Sequence, residues 1–193
     1  MKNLYFIGDS IRYGSKTSIG YEAFLRQKLI HKANIYSPNE NCRFAQYTLR
    51  ALYDWVDEVN PAEIDIVHWN NGLWDVLRLR DDEPLTPLPV YISMLERVYK
   101  TIRMLFPNAK ILFALSTPVI EKNAPKGWMR YNHEIEAYNL AAIQLMEKLG
   151  VEVNDLYAAA KDFDESYYAD WVHFNDKGAN ILADKIIERL DLT

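Results

Sequence analysis

Five short apolar runs rich in β-formers, at residues 4–7, 33–36, 64–69, 110–115 and 151–153, alternate with longer segments of helical periodicity. Few folds accommodate that alternation. Antiparallel neighbours can be joined by a two-residue hairpin, whereas parallel strands need a crossover of a dozen residues or more, usually a helix. The spacing therefore predicts a parallel sheet with helices on both faces. In the spacers, apolar residues return at three- and four-residue intervals. Tyr21, Phe24, Leu25 and Leu29 form one such face, and Phe44, Tyr47, Ala51, Leu52 and Trp55 another. Tyr91, Met94, Leu95, Val98, Ile102 and Leu105 form a third; Ile135, Tyr138, Leu140, Ala142, Leu145 and Leu149 follow the period less regularly. A last helix is expected over 176–190, with Ile181, Leu182, Ile186 and Leu190 facing inward.

Turn signals divide the chain in the same way. Asn60-Pro61, Phe106-Pro107-Asn108 and Gly150 stand between helices and the strands that follow. Loops are expected over 81–89 and from Ser116 through Gly127. Both would lie at the carboxyl ends of strands, where open α/β sheets bind ligands, and long loops there are candidates for substrate contacts. The 193 residues read as a single domain, 1–193, with a sizeable core.

Several function classes are excluded by charge and composition. A formal net charge of −5 argues against a nucleic-acid partner, which calls for a basic patch or stripe. No apolar run approaches the ~18 residues needed to span a bilayer, so no membrane segment is expected. The apolar stretch at the start is too short for a signal peptide and lacks a small-residue cleavage site. Cys42, the single cysteine, forms no internal disulfide and has no metal-ligand spacing around it. A cytoplasmic protein without metal or cofactor is the expectation.

The chemistry-bearing residues stand at two ends of the chain. The first apolar run closes on Gly8-Asp9-Ser10, which would bring the Ser10 hydroxyl out at the rim of the sheet. Asp and Ser also favour the N-cap of a helix, and Asp9 reads better as the residue that holds the turn. Near the other end, Asp170-Trp171-Val172-His173 sets a carboxylate three residues before an imidazole, just ahead of the last helix. A serine becomes a nucleophile beside a base, and the base needs an acid to orient it. Such a triad is recognised by geometry and roles, not by chain order. Trp69-Asn70-Asn71-Gly72 ends the third run. An Asn amide there can donate to a tetrahedral oxyanion, although Asn-Gly is also a common turn.

These sites, in this order, resemble the SGNH hydrolases, also called the GDSL esterase/lipase superfamily. Gly8-Asp9-Ser10 matches the block that carries the nucleophile, and Asp170-Trp171-Val172-His173 matches the block that carries acid and base. The block that is normally Gly-x-Asn-Asp reads His68-Trp69-Asn70-Asn71, which implies Asn70 as the oxyanion amide, with Asn71 as the alternative one position on. In the second block, Asn41-Cys42-Arg43-Phe44-Ala45-Gln46-Tyr47-Thr48 departs most from the family pattern. It implies the backbone N–H of Gln46 as a donor where the family has a glycine. The resemblance extends from Phe6 to the last helix.

It implies a flavodoxin-like, three-layer α/β/α fold with a five-stranded parallel sheet in the order 2-1-3-4-5. It further implies a metal-free, cofactor-free serine esterase with Ser10 as nucleophile, His173 as base and Asp170 as acid. The Ser10 and Gln46 backbones and the Asn70 amide would form the oxyanion hole. The substrate class is a small-molecule ester with a short acyl group such as acetyl, an acylated sugar among the candidates. Trp69, Asn71, Trp74 and Trp128 are candidate substrate contacts, the tryptophans as stacking planes for a sugar or as core. Acyl transfer and a silent binding protein on the same fold are the alternatives.

Overall fold

The computed structural model describes residues 1–80 and 82–192. Asp81, where the expected loop 81–89 begins, and Thr193, the end of the expected domain, lie outside the described residues. Among the described residues, seven strands and seven α-helices follow one another as β1 Lys2–Ile7, α1 Ser10–Tyr13, α2 Gly20–Lys28, β2 Ala33–Tyr36, α3 Ala45–Trp55 and β3 Ile66–Trp69. Then come β4 Arg78–Leu79, α4 Leu88–Leu105, β5 Lys110–Ala114, β6 Trp128–Met129, α5 Asn132–Leu149, β7 Glu152–Asn154, α6 Leu156–Ala160 and α7 Asp176–Ile187.

The five main strands form one sheet in the order β2-β1-β3-β5-β7, every pair parallel. Counted within the sheet, that is 2-1-3-4-5, the order expected. Helices α2 and α7 pack together on one face, and α3, α4 and α5 line up in sequence on the other. A sheet covered on both faces needs strands that are apolar throughout rather than alternating. Leu4 to Ile7, Ile66 to Trp69 and Ile111 to Ala114 are accordingly all buried. Each large side chain buried there stabilises the fold by roughly 1.5–3 kcal/mol relative to exposure. His68 sits inside this core beside Phe6, its ring nitrogen 3.3 Å from the Asn154 amide, and burial holds its pKa down at about 3. It is a neutral core residue.

Several expectations about the elements need correction. The third strand begins at Ile66 because Ile64 ends a 3-10 turn, Pro61–Glu63. The last helix stops at Ile187, and Leu190 follows in a turn. Leu140 is 58% exposed. Its place on the inner face of α5 is taken by Asn139, whose amide bonds both the N–H and the C=O of Ser116. The buried stripe of α3 is Ala45, Thr48, Ala51 and Leu52, with Tyr47 and Trp55 on its flank around the Glu40 carboxylate. Finally, the two loop regions are tied together by an antiparallel ribbon, Arg78–Met129 and Leu79–Trp128. Two-residue strands carry no readable alternation.

Candidate active site

The first turn after β1 is locked from three sides. Asp9 is the N-cap of α1, its Oδ1 accepting from Ile11 N at 2.9 Å, which leaves Ser10 as the first helical residue. Arg12 folds back beneath the turn. Its Nε donates to Gly8 O at 3.2 Å, and its terminal nitrogens donate to Glu22 and to the backbone carbonyls of Pro38 and Glu40. A Cβ on Gly8 would meet the Arg12 Cβ at 3.0 Å, so the close approach needs a glycine. Burial works to raise the Glu22 carboxyl, but the Arg12 charge and the Ser37 hydrogen bond outweigh it and hold the group below its usual range. The third restraint is Cys42 N donating to Gly8 O at 3.1 Å.

The second element is the loop before α7. Asp170 Oδ1 accepts from the backbone N–H groups of Val172 and His173, both at 2.8 Å. Its Oδ2 meets His173 Nδ1 at 2.7 Å and accepts from Thr17 Oγ1 at 2.7 Å. Partial burial raises the carboxyl, and these four hydrogen bonds more than reverse it, leaving Asp170 below its ordinary value. An ionised carboxylate only accepts, so His173 Nδ1 carries the hydrogen, and in the neutral ring Nε2 keeps its lone pair. That Nε2 lies 2.8 Å from Ser10 Oγ. A hydrogen-bonded line therefore runs from Ser10 through His173 to Asp170, joining residues 163 positions apart.

A cleft of about 160 Å³ opens over this line, with Ser10 and His173 on its floor and Leu73, Trp74, Trp128, Arg130, Trp171 and Val172 around it. Of the four expected substrate contacts, Trp74 and Trp128 reach the cleft. Trp69 and Asn71 do not. Trp69 is fully buried against Phe113, and its Nε1 donates to Asn71 Oδ1 at 2.7 Å. The Asn71 amide nitrogen is committed to Arg43 O and Thr48 Oγ1. Their role is to join β3 to α3.

The oxyanion donors are placed unevenly. Ser10 N, as the first residue of α1, has no acceptor inside the helix. Asn70 Nδ2 donates one hydrogen to Ala114 O at 2.8 Å, and the residue lines a small hollow behind the turn with Asp9, Ile11 and Leu73. No hydrogen bond joins Asn70 to Ser10 among the described residues. No hydrogen bond joins the Gln46 backbone, the expected third donor, to Ser10 among the described residues. Ala45 N donates to Asp75 Oδ1 at 3.1 Å, the Gln46 side chain meets Thr86 Oγ1 at 3.1 Å, and Gln46 faces a groove between α3 and α4. The part of this segment that touches the Ser10 turn is Cys42, four residues earlier.

Residues 6–181 match the GDSL-like Lipase/Acylhydrolase family. The chain belongs to that family. A curated GDSL-family relative, the GDSL esterase/lipase CPRD49 of Arabidopsis thaliana, is 25% identical over 169 residues, covering 75% of this chain and 66% of that protein. The chain thus spans just under two thirds of that relative's length. Among solved structures, the lipase/acylhydrolase from Enterococcus faecalis matches with a TM-score of 0.74 at 16% identity, covering 100% of this chain and 99% of that one. An acetyl xylan esterase, AlAXEase, matches with a TM-score of 0.73 at 18% identity, covering 97% and 99%. At such identities the likeness is one of fold.

Four residues that line the cleft of this GDSL-family chain, Leu73, Arg130, Trp171 and Val172, were not anticipated from sequence. Trp171 lies within the Asp170 to His173 run, where its aromatic character was the available signal. Arg130 lies just beyond Gly127, where the loop read as a substrate-contact region ends, and an isolated arginine there gives no sign of burial. Thr17, in the loop before α2, supports Asp170 without any motif to mark it.

Proposed function

We propose that this chain is a serine esterase that removes a short acyl group from a small hydroxylated molecule, acting as one hydrolase domain. The observation that carries this reading is the hydrogen-bonded line from Ser10 through His173 to Asp170. Ser10 Oγ attacks the ester carbonyl as its proton passes to His173 Nε2, and Asp170 stabilises the imidazolium that forms. The tetrahedral oxyanion is held by the Ser10 N–H and by the second hydrogen of the Asn70 amide, fixed donors that act where charge develops. As the carbon–oxygen bond to the leaving group breaks, His173 returns its proton to the departing alkoxide. Water, deprotonated by His173, then attacks the acyl-serine and releases the acid and the free serine.

Size supports a short acyl group. Clefts that enclose drug-sized ligands run to roughly 300–1,000 Å³, and this one measures about 160 Å³. The indole walls of Trp74 and Trp128 suit a flat or ring-shaped leaving group, and an acetylated sugar is such a molecule; the fold likeness to an acetyl xylan esterase favours the same class. The test is turnover by purified protein of acetylated sugars and of p-nitrophenyl esters from acetate to decanoate. Rates should be highest for acetate, fall steeply with chain length, and vanish in Ser10→Ala. Rates that rise toward decanoate would refute the short-acyl assignment.

A further inference from the structure

Arg130 is a buried cation with too few partners. It is 4% exposed and forms part of the cleft wall. Its Nε donates to Leu73 O, and neither terminal nitrogen has a hydrogen-bond partner among the described residues. No carboxylate lies within ion-pair distance of it among those residues. A guanidinium offers five N–H donors in a fixed planar fork, so the four on its terminal nitrogens have no acceptor among the described residues. The contrast with Arg12 is sharp, since that equally buried arginine bonds Gly8, Glu22, Pro38 and Glu40.

Taking a charge out of water costs several kcal/mol unless a partner returns it. Here the compensation is indirect. The guanidinium lies over the Trp171 ring at 5.1 Å, and Asp9 and Asp170 act on it through space. Neither carboxylate pairs with it: Asp170 is committed to His173 and Thr17, and Asp9 caps α1 through one oxygen while its other oxygen, buried and without a partner, lies beyond ion-pair distance of the guanidinium. Burial lowers the Arg130 pKa to about 10, so the group remains a cation at neutral pH. Apart from Ser10, His173 and Arg130, the cleft side chains are Leu73, Val172 and three tryptophans. The wall is thus apolar with one open cationic fork beside the nucleophile.

We infer that Arg130 is a specificity-determining residue whose terminal N–H groups bind a carboxylate carried by the ester substrate, next to the bond that Ser10 attacks. The inference rests on the esterase reading and narrows it to esters of acidic molecules, such as acetylated hydroxy acids or sugar acids. A planar carboxylate presents two oxygens to the guanidinium fork, and such bidentate pairs are roughly twice as strong as neutral hydrogen bonds. A tetrahedral oxyanion presents a single oxygen and makes poorer use of that shape. The Trp171 ring, 5.1 Å from the guanidinium carbon, backs the fork.

Two matched ester pairs test this. In 3-acetoxybenzoate against 3-acetoxybenzamide the charge lies on the leaving group; in monophenyl succinate against phenyl butanoate it lies on the acyl group. For one pair, kcat/KM should favour the carboxylate by about 10- to 100-fold, the range for a hydrogen-bonded charge. The preferred pair identifies the side of the ester that Arg130 reads. The preference should collapse to within about twofold in Arg130→Met, survive in part in Arg130→Lys, and weaken with added salt. Equal rates within both pairs for the parent protein would overturn the inference, as would an undiminished preference in Arg130→Met. Calorimetry on Ser10→Ala with 3-hydroxybenzoate and 3-hydroxybenzamide reads the same contact without turnover. Tighter binding of the carboxylate is expected, and equal binding would overturn the inference. Absence of turnover by the parent protein with carboxylate binding intact would count against the esterase reading alone.

Discussion

Thr17 Oγ1 and His173 Nδ1 meet the same oxygen of Asp170, each at 2.7 Å, so the acid is held from a loop 153 positions away as well as from its own turn. The Thr17 bond fixes the carboxylate plane that in turn orients the imidazole. Thr17→Val removes a single hydrogen bond at a partly solvated site, worth about 0.5–1.5 kcal/mol. The expected result is a fall in kcat of roughly 2- to 10-fold with KM unchanged, restored by Thr17→Ser. A change confined to KM, or no rescue by serine, would remove Thr17 from the positioning of Asp170.

The two asparagines at the end of β3 should separate cleanly. Asn70→Ala removes the proposed oxyanion donor and should lower kcat by about 10²–10³ with little change in KM. Asn71→Ala instead strips partners from Trp69, Arg43 and Thr48 in the core. Its expected effect is a loss of stability of about 1–3 kcal/mol, the penalty for buried groups left unsatisfied, read by urea unfolding. Loss of kcat in Asn71→Ala with an unaffected Asn70→Ala would move the donor one residue along.

Asp75 gives a pH dependence of stability. Burial pushes its carboxyl up to about 7, with Ala45 N on one oxygen and the other oxygen unpartnered. In the unfolded chain it ionises near 3.8, its ordinary value. Below that pH both states are protonated and the stability is fully present. Between about 4 and 7 the unfolded chain holds fewer protons than the folded one, so stability falls as pH rises through that window and levels off above it. Urea unfolding from pH 4 to 8 should show this decline, on the order of a few kcal/mol. In Asp75→Asn the decline should shrink and the protein should be more stable at pH 8 than its parent. An unchanged slope would contradict the assignment.

Much of this was legible because the decisive signals are local. The strand-to-turn transition at Gly8-Asp9-Ser10 sets the hydroxyl at the sheet rim, and the three-residue spacing of Asp170 and His173 lets one carboxylate cap the loop and hold the ring. What was not legible depends on partners remote in the chain. The start of α3 carries no side-chain cap of its own and is set by Asp75, so the position of Gln46 could not be read from its neighbours. Arg130 is buried because Leu73 and Trp171 receive it, and Leu140 is exposed because Asn139 answers Ser116. Hydrophobic period anticipates neither.

The proposed reaction stands or falls with Ser10 as nucleophile and His173 as its base. Intact-mass and peptide mass spectrometry after exposure to a fluorophosphonate, which forms a stable phosphonyl-serine only with an activated hydroxyl, tests it most directly. A single adduct is expected on the peptide that contains Ser10, with loss of esterase activity in step with labelling, and labelling slowed by orders of magnitude in His173→Ala. No adduct, or an adduct on another serine while Ser10→Ala remains active, would contradict it.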